Sequence, residues 1–405
     1  MEQAASLKDD GTVQVGTLPE VVSPTSAPKL QRMPRPGEPA PWFHAATDED
    51  PNFSFDTVAG RRVVLSFFGD MQGDPLQSLL GSIRAALDQT DRSQFAFFGV
   101  GTGSDGEQAA LFKQMVPVGY LFLDRDRAVS ELYGAAPIED QGAAIRVTSF
   151  VLDERLRVVG VIPWTGDGAQ HADDLLGALR ALPGDIPETS APVLIIPRIF
   201  EPELCTSLIG YYARHGGETS GFMRDVDGRT RLIHDARHKR RKDRAVDAEQ
   251  LRLACQHRIH DRLVPEIEKA FQFRATRIER YIVACYEAED AGHFRAHRDN
   301  TTLGTAHRRF AVSLNLNTGD YEGGMLRFPE FGRRLYQPPL GGAVVFSCSL
   351  LHEATPVTQG TRYAFLPFLY DEASAALRDK NRRLVADRNK HPISQAPNSG
   401  GGVRD

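Results

Sequence analysis

The sequence is poor in cysteine: Cys205, Cys255, Cys285 and Cys348 are the only four in 405 residues, and none belongs to a CxxC pair. Thiols this sparse cannot staple so long a chain and read as reduced. Because none precedes Cys205, the N-terminal half can neither attack a peroxide as thiolate nor exchange a disulfide. Long apolar runs are also missing, with no stretch near the roughly 18 residues of a membrane helix. The first residues lack the basic-then-apolar pattern of a secretory leader, so the expectation is a soluble cytoplasmic protein without a membrane partner. Nor is there an excess of positive charge: Lys+Arg 48 against Asp+Glu 53 leaves −5, which argues against coating nucleic acid. What is present is ordinary globular material, 41% hydrophobic and 25% charged, enough for two medium-sized cores.

Residues 1–32 are polar and aperiodic and read as a flexible lead-in. Over residues 33–183, apolar runs of strand length (Val63–Phe68, Phe95–Val100, Tyr120–Leu123, Ser149–Leu152) alternate with helical patterns (Leu76–Leu87, Glu107–Met115, Asp173–Leu182). Such alternation predicts a layered α/β domain. A Pro-rich linker, residues 184–191, leads to a second domain over 192–380. There a strand at Val193–Ile196, a helix at Pro202–Arg214 and a long helix at Ala248–Phe271, capped near Asp247, precede closely spaced strands: Tyr281–Tyr286, Phe310–Asn317, Met325–Phe328, Ala343–Phe346 and Tyr363–Tyr370. Strands separated by Gly, Pro and Asp predict an antiparallel sandwich or barrel. Residues 381–405 read as a disordered tail.

The chemistry concentrates in the second domain. In an extended chain, residues two apart point to the same face, so His297 and Asp299 converge. His352 follows the apolar strand Ala343–Phe346 and supplies a second imidazole. Two histidines and one carboxylate form a facial triad that leaves three cis positions of Fe(II) open for a chelating cosubstrate and O2. Arg362, further along the same segment, offers a guanidinium for a remote carboxylate.

These residues, with Tyr286–Phe294, Arg309–Asn317, Glu322–Phe328, Pro339–Phe346 and His352–Arg362 in order, resemble the prolyl 4-hydroxylase-like family of Fe(II)/2-oxoglutarate-dependent dioxygenases over about residues 192–371. The resemblance implies a double-stranded β-helix (jelly-roll) with flanking helices. It implies that His297, Asp299 and His352 bind iron, that Arg362 binds the far carboxylate of 2-oxoglutarate, and that Tyr286 is a second contact to it. It also implies hydroxylation of an amino-acid, peptide or small-molecule C–H bond, with O2 consumed, succinate and CO2 released, and ascorbate as reductant. Asp299 stands where a halogenase would leave room for a halide, and Phe368 stands where the nucleic-acid demethylase branch has a second arginine. Residues 36–48, 60–68 and 145–159 resemble the peroxiredoxin (redoxin) family, which implies a thioredoxin-like α/β fold over 33–183. After Phe68, however, the chain reads Gly69-Asp-Met-Gln-Gly-Asp-Pro75, without the peroxidatic cysteine. The domain is therefore expected to dock a partner, present a substrate or form half of a homodimer interface. The alternative for the whole chain is a non-catalytic scaffold with two degenerate domains.

Several features read as bland. The basic run Arg237–Arg244 reads as a solvated surface segment in which Asp243 closes a salt bridge at the pocket rim. Arg309 and Asn315 are expected to face the pocket. His257 and His260 read as surface residues, Arg146 as solvated, and Cys348 as a small buried apolar residue. His234, His293 and His307 belong to no motif.

Overall fold

The computed structural model describes residues 32–385 apart from 48–49, 91–94, 104–105, 139–143 and 185–187. The lead-in and most of the tail assigned from sequence lie outside these residues.

In the N-terminal region, β1 (His44–Ala45) pairs with β2 (Phe53–Ser54), and then β3 (Arg62–Gly69), α1 (Gly73–Leu87), β4 (Phe95–Gly101), α2 (Glu107–Met115), β5 (Tyr120–Leu123), α3 (Ala128–Leu132), β6 (Thr148–Leu152), β7 (Val158–Pro163) and α4 (Gly168–Arg180) follow. The sheet order is β5-β4-β3-β6-β7, with β3, β4 and β5 parallel and β6 and β7 antiparallel. Its central strand is buried throughout and mostly apolar because both faces are covered. Val63, Leu65 and Phe67 enter one core while Val64 and Phe68 enter the other, which Leu76, Leu80 and Ile83 of α1 fill from their single apolar face. Helix α4 starts well before the expected Asp173, because Asp167 accepts hydrogen bonds from the backbone N–H of Ala169 (2.9 Å) and Gln170 (3.2 Å). This is the thioredoxin-like α/β fold.

The second region opens with β8 (Leu194–Ile196) and α5 (Pro202–His215), which begins at a proline and stops at Gly216, φ +67°. Next come β9 (Glu218–Thr219), the hairpin β10 (Phe222–Val226) and β11 (Arg229–Ile233), β12 (Lys239–Arg240) and β13 (Lys242–Ala245). The expected helix 248–271 is divided into α6 (Glu249–Arg258), a π-helical turn at Ile259–Leu263 and α7 (Val264–Phe271). Pro265 has no N–H for the ladder, and a wider turn absorbs the lost bond. Asp247 does not cap it; Ala248 holds the cap position without a side-chain bond.

The remaining elements are β14 (Arg277–Glu279), β15 (Ile282–Glu287), β16 (His293–His297), β17 (Phe310–Asn315), β18 (Tyr321–Gly323), β19 (Leu326–Arg327), β20 (Leu335–Tyr336), β21 (Ala343–Ser347), β22 (His352–Ala354), β23 (Val357–Phe365), β24 (Phe368–Tyr370) and α8 (Glu372–Asn381). Pro367 interrupts the expected strand 363–370, yet the register along β17 carries across the gap, Leu314 opposite Phe365 and Ala311 opposite Phe368. The larger sheet runs β14-β24-β17-β23-β15-β13-β9, with β21 and β8 joined through β17, and the smaller runs β12-β16-β22-β19-β20. One face of the larger sheet (Val283, Val312, Leu314, Phe365) packs on Leu208, Ile259 and Ile267 of the helical layer. The other face meets the smaller sheet through Ala284 and Tyr286 against Phe294 and Ala354, and through Ala311 and Phe346 against Leu326 and Phe328. This is the jelly-roll with flanking helices. Asn381 is held by Leu303 (2.8 Å), and residues 382–384 add a short 3-10 turn.

One buried group makes the N-terminal fold pH-sensitive. The His171 ring sits between the hydroxyls of Ser82 (2.8 Å) and Ser149 (3.2 Å), and burial pushes its pKa down to about 4 against a small opposing effect of Asp174. Above pH 6.5 the imidazole is neutral folded or unfolded. As the pH falls from 6.5 toward 4, the unfolded chain binds a proton that the folded chain refuses, and about 3 kcal/mol of stability is lost across that window. Denaturant titration at pH 7.5 and pH 5 should show about 2 kcal/mol of this loss in the wild type and a much smaller one in His171→Gln.

Candidate metal centre

The antiparallel register of β16 and β22 sets His297 opposite His352, with ring centroids 4.3 Å apart. Asp299 lies just past the end of β16. Its Oδ1 is 3.5 Å from His297 Nε2 and its Oδ2 3.3 Å from His352 Nε2. Nδ1–H of His297 donates to the carbonyl of Arg295 (2.7 Å) and that of His352 to the carbonyl of Leu350 (3.0 Å). These backbone acceptors fix the tautomer, so both Nε2 lone pairs aim at the carboxylate. Burial, reinforced by the neighbouring His297, pushes His352 down to about 4. Burial also opposes charge on Asp299, but the imidazoles of His352 and His297 outweigh it and hold the carboxyl well below its usual range. The downward shifts of His352 and Asp299 favour the unprotonated ring nitrogen and the ionised carboxylate that ligation requires. Among the described residues, this is the one group of three whose ligand atoms, all within 4.8 Å, suit a metal ion. The donor set fits iron(II), since two imidazoles and a carboxylate match a borderline divalent ion while thiolates are absent.

Arg362 stands opposite Tyr286 in the β15/β23 pair and is 2% exposed. Its guanidinium lies 5.1 Å from the Tyr286 ring and donates to Ser313 Oγ (2.8 Å) and Asn315 Oδ1 (2.9 Å). These partners are neutral; among the described residues no carboxylate pairs with it. Gly324, at φ +63°, lets the chain pass close by, since a Cβ there would come within 2.9 Å of Arg362 Cδ. A buried guanidinium without a counter-ion is costly, so the site is built to receive an anion. Tyr286 Oη also meets Arg241 Nη1 at 3.2 Å.

Two sequence expectations need correction. The basic run is not a solvated segment. Along β12, β13 and the residue between them, alternate side chains turn inward, so that Lys239 and Arg241 are 6% and 7% exposed. Arg241 pairs with Asp243 (2.7 Å), the salt bridge expected at the rim, while Lys239 donates to Ser220 Oγ (2.8 Å) and the Gly221 carbonyl (2.6 Å). Burial holds the Lys239 amine well below its ordinary pKa. Arg309 and Asn315 do not line the cavity: Arg309 donates to the Ala306 carbonyl (3.1 Å), and Asn315 stands behind Arg362.

The other features behave as read. His234, His257 and His260 are exposed, His260 beside Asp261 (2.8 Å), and Arg146 is exposed. All four cysteines are buried, and burial pushes Cys205 and Cys285 up to about 11 and Cys255 up to about 12. Sequence reasoning missed Arg308, which forms a bidentate pair with Glu279 (2.7 and 2.9 Å) and donates to the Asp299 carbonyl (3.3 Å). It also missed Arg298, whose partners are far away in sequence. The cavity uniting the triad, Tyr286 and Arg362 measures about 1180 Å³, and Trp42, His44, Ser54 and Asp56 of the N-terminal region also line it.

Comparison with known proteins agrees with both halves. Residues 281–370 match the 2OG-Fe(II) oxygenase superfamily and residues 36–161 match the AhpC/TSA family. A PKHD-type hydroxylase from Synechococcus sp. (strain JA-2-3B'a(2-13)) is 28% identical over 140 residues, which is 32% of this chain and 60% of that relative. The chain therefore spans about six tenths of the length of this curated relative. Among solved structures, a peroxidoxin from Mycobacterium tuberculosis aligns with TM-score 0.34 at 19% identity, covering 37% of this chain and 99% of the other. A prolyl hydroxylase from Trichoplax adhaerens, in complex with a hypoxia inducible factor peptide fragment, aligns with TM-score 0.35 at 19% identity, covering 46% and 86%. Within one chain, an AhpC/TSA-family domain without cysteine is joined to a domain of the 2OG-Fe(II) oxygenase superfamily, whose cofactors are Fe(II), 2-oxoglutarate and O2.

Proposed function

We propose that the protein is an Fe(II)- and 2-oxoglutarate-dependent dioxygenase that hydroxylates a C–H bond of an amino acid, peptide or small molecule, with release of succinate and CO2. One observation carries this reading: a single cavity holds two imidazole lone pairs converging on a carboxylate and, on the facing sheet, a buried arginine that lacks an anion. In this reading His297, Asp299 and His352 hold the iron, and Arg362 grips the far carboxylate of 2-oxoglutarate with help from the Tyr286 hydroxyl. The bound metal and keto acid supply the oxidising power for O2-dependent C–H cleavage, and ascorbate keeps the metal ferrous.

The residues of the chain do the positioning. Backbone carbonyls hold both imidazoles in one tautomer, and Ser313 and Asn315 hold the guanidinium plane. Phe294 stacks on the His297 ring (centroids 3.5 Å) and Phe346 lies against His352 (4.5 Å), so water is kept from the back of both rings. Four buried thiols, with no disulfide among the described residues, support a reducing compartment, which we take to be the cytoplasm. No helix among the described residues is long and apolar enough to cross a membrane.

Given Fe(II), ascorbate, 2-oxoglutarate and O2, the wild type should form succinate slowly without prime substrate, and His297→Ala should form none. Losing a charged hydrogen bond in a desolvated site costs about 2–5 kcal/mol, so Arg362→Ala should raise the KM for 2-oxoglutarate by roughly 30-fold or more, with turnover recovered at high concentration. Wild type that binds no Fe(II) would return the scaffold reading, and a His297→Ala variant that keeps its activity would remove His297 from the metal site. Tyr286→Phe removes one hydroxyl, worth about 1 kcal/mol, and should raise that KM about fivefold with kcat nearly unchanged; a KM equal to that of wild type removes Tyr286 from the site.

A further inference from the structure

His297 and Asp299 face the cavity, so the residue between them is turned the other way. Arg298 points into the N-terminal domain. Its Nε donates to Asp56 Oδ2 (2.8 Å), its Nη1 and Nη2 donate to Glu330 Oε2 (3.1 Å) and Oε1 (3.0 Å), and its Nη1 also donates to the carbonyl of Ser349. The Trp42 ring covers it at 4.2 Å. The side chains of Arg298 and Asp56 are 2% and 4% exposed, so this pair between distant parts of the chain is desolvated. Glu330 also accepts the backbone N–H of Leu351 (3.1 Å), the residue before His352. One guanidinium and two carboxylates thereby tie together the turn that carries His297 and Asp299 and the strand start that carries His352.

Apolar contacts run in parallel. Leu351, fully buried, belongs to the hydrophobic core of the N-terminal domain with Phe43, Phe55 and Tyr133, and Ala296, the residue before His297, packs against the same core. Gly60, at φ +87°, approaches Pro329 so closely that a Cβ there would collide with the proline ring, and this contact seats Glu330. Contacts between domains of one chain are ordinarily polar and mobile, which is what a tethered docking module would show. Here, each residue that directly precedes a triad histidine, together with the one between two triad members, is anchored in the other domain.

We propose that the redoxin-like domain is an integral part of the oxygenase metal centre, with Asp56 as a positioning residue that acts through Arg298 and Glu330 on all three ligands. This rests on the dioxygenase reading of the triad. Two carboxylates around one guanidinium also leave net negative charge beside a site that receives a dication. Ser54 extends the network toward the cavity, donating to Asp56 and accepting from His44 Nε2 (3.0 Å). The domain has given up thiol chemistry and keeps its fold as a wall and brace of the neighbouring site.

Co(II), a spectroscopic surrogate for Fe(II), gives the test in the full-length protein. Asp56→Asn keeps the side-chain shape and removes the charge. It should bind Co(II) 10- to 100-fold more weakly, the usual cost of losing a group that orients a ligand, and should change the visible Co(II) spectrum. Asp56→Glu should recover part of the affinity. At saturating metal the KM for 2-oxoglutarate should change far less than the metal affinity, because Arg362 shares no contact with this network, whereas general loosening of the fold would move both. Should Asp56→Asn not fold, Ser54→Ala is judged by the same spectrum, with a several-fold weakening expected. Unchanged Co(II) affinity and spectrum in the folded variant, alongside a His297→Ala control that has lost Co(II), overturns this inference alone. A wild type that binds no Co(II) overturns the dioxygenase reading and this inference together.

Discussion

The pairing of β16 with β22 is the constraint on which the rest depends. A strand alternates its side chains with a period of two, so the register that sets His297 against His352 also decides what lies on either side. Asp299 returns to the metal side, and the Arg298 guanidinium turns away from the ligands to Asp56 and Glu330. A slip of one residue would bury the guanidinium where the ligands belong and turn the imidazoles toward the N-terminal domain. The metal centre and the domain interface are thus two faces of the same strand pair.

Charge is distributed in the cavity with the same economy. Arg241 is matched by Asp243, Arg308 by Glu279, and Arg298 by Asp56 and Glu330. Arg362 differs from these three in having a hydroxyl and an amide as its hydrogen-bond partners, so it is open to an anion from outside. At the triad the balance is reversed: an ionised Asp299 lies between the Nε2 atoms of His297 and His352, a donor set with no cation of its own. A site short of a cation at one end and of an anion at the other fits a metal and a dicarboxylate bound together.

Much of this was legible in the sequence because it was local. The His-x-Asp spacing, the distal histidine and Arg362 are short-range signals, and the apolar runs located the strands β3 to β6, β8, β15, β17, β19 and β21 to within about two residues, whereas the shorter or more polar strands, β16 and β22 among them, carry no such run. The misreadings share a physical cause. Arg237–Arg244 looks like a solvated charge run until the strand period sends Lys239 and Arg241 inward; Asp243 is legible as a salt-bridge partner, but nothing local marks Ser220 and Gly221 as the partners of Lys239. Helix 248–271 has a continuous apolar pattern, and only the missing N–H of Pro265 hints at the π-helical turn before it. Asp56 and Arg298 are separated by most of the chain, so their pairing is a product of tertiary packing. The absence of cysteine before residue 205 did exclude peroxidase chemistry, but it gave no sign that the domain would brace its neighbour.

The claim at the centre of this account is that one metal ion and one keto acid share the cavity through the triad and Arg362. Anaerobic mixing of the protein with Fe(II) and then 2-oxoglutarate, followed by visible absorption, tests it without any prime substrate. A weak charge-transfer band of the keto-acid chelate should appear at one equivalent of iron, be absent in His352→Ala, and require far more 2-oxoglutarate in Arg362→Ala. A wild type that shows no band at saturating 2-oxoglutarate, or a His352→Ala variant that shows it undiminished, would contradict the assignment.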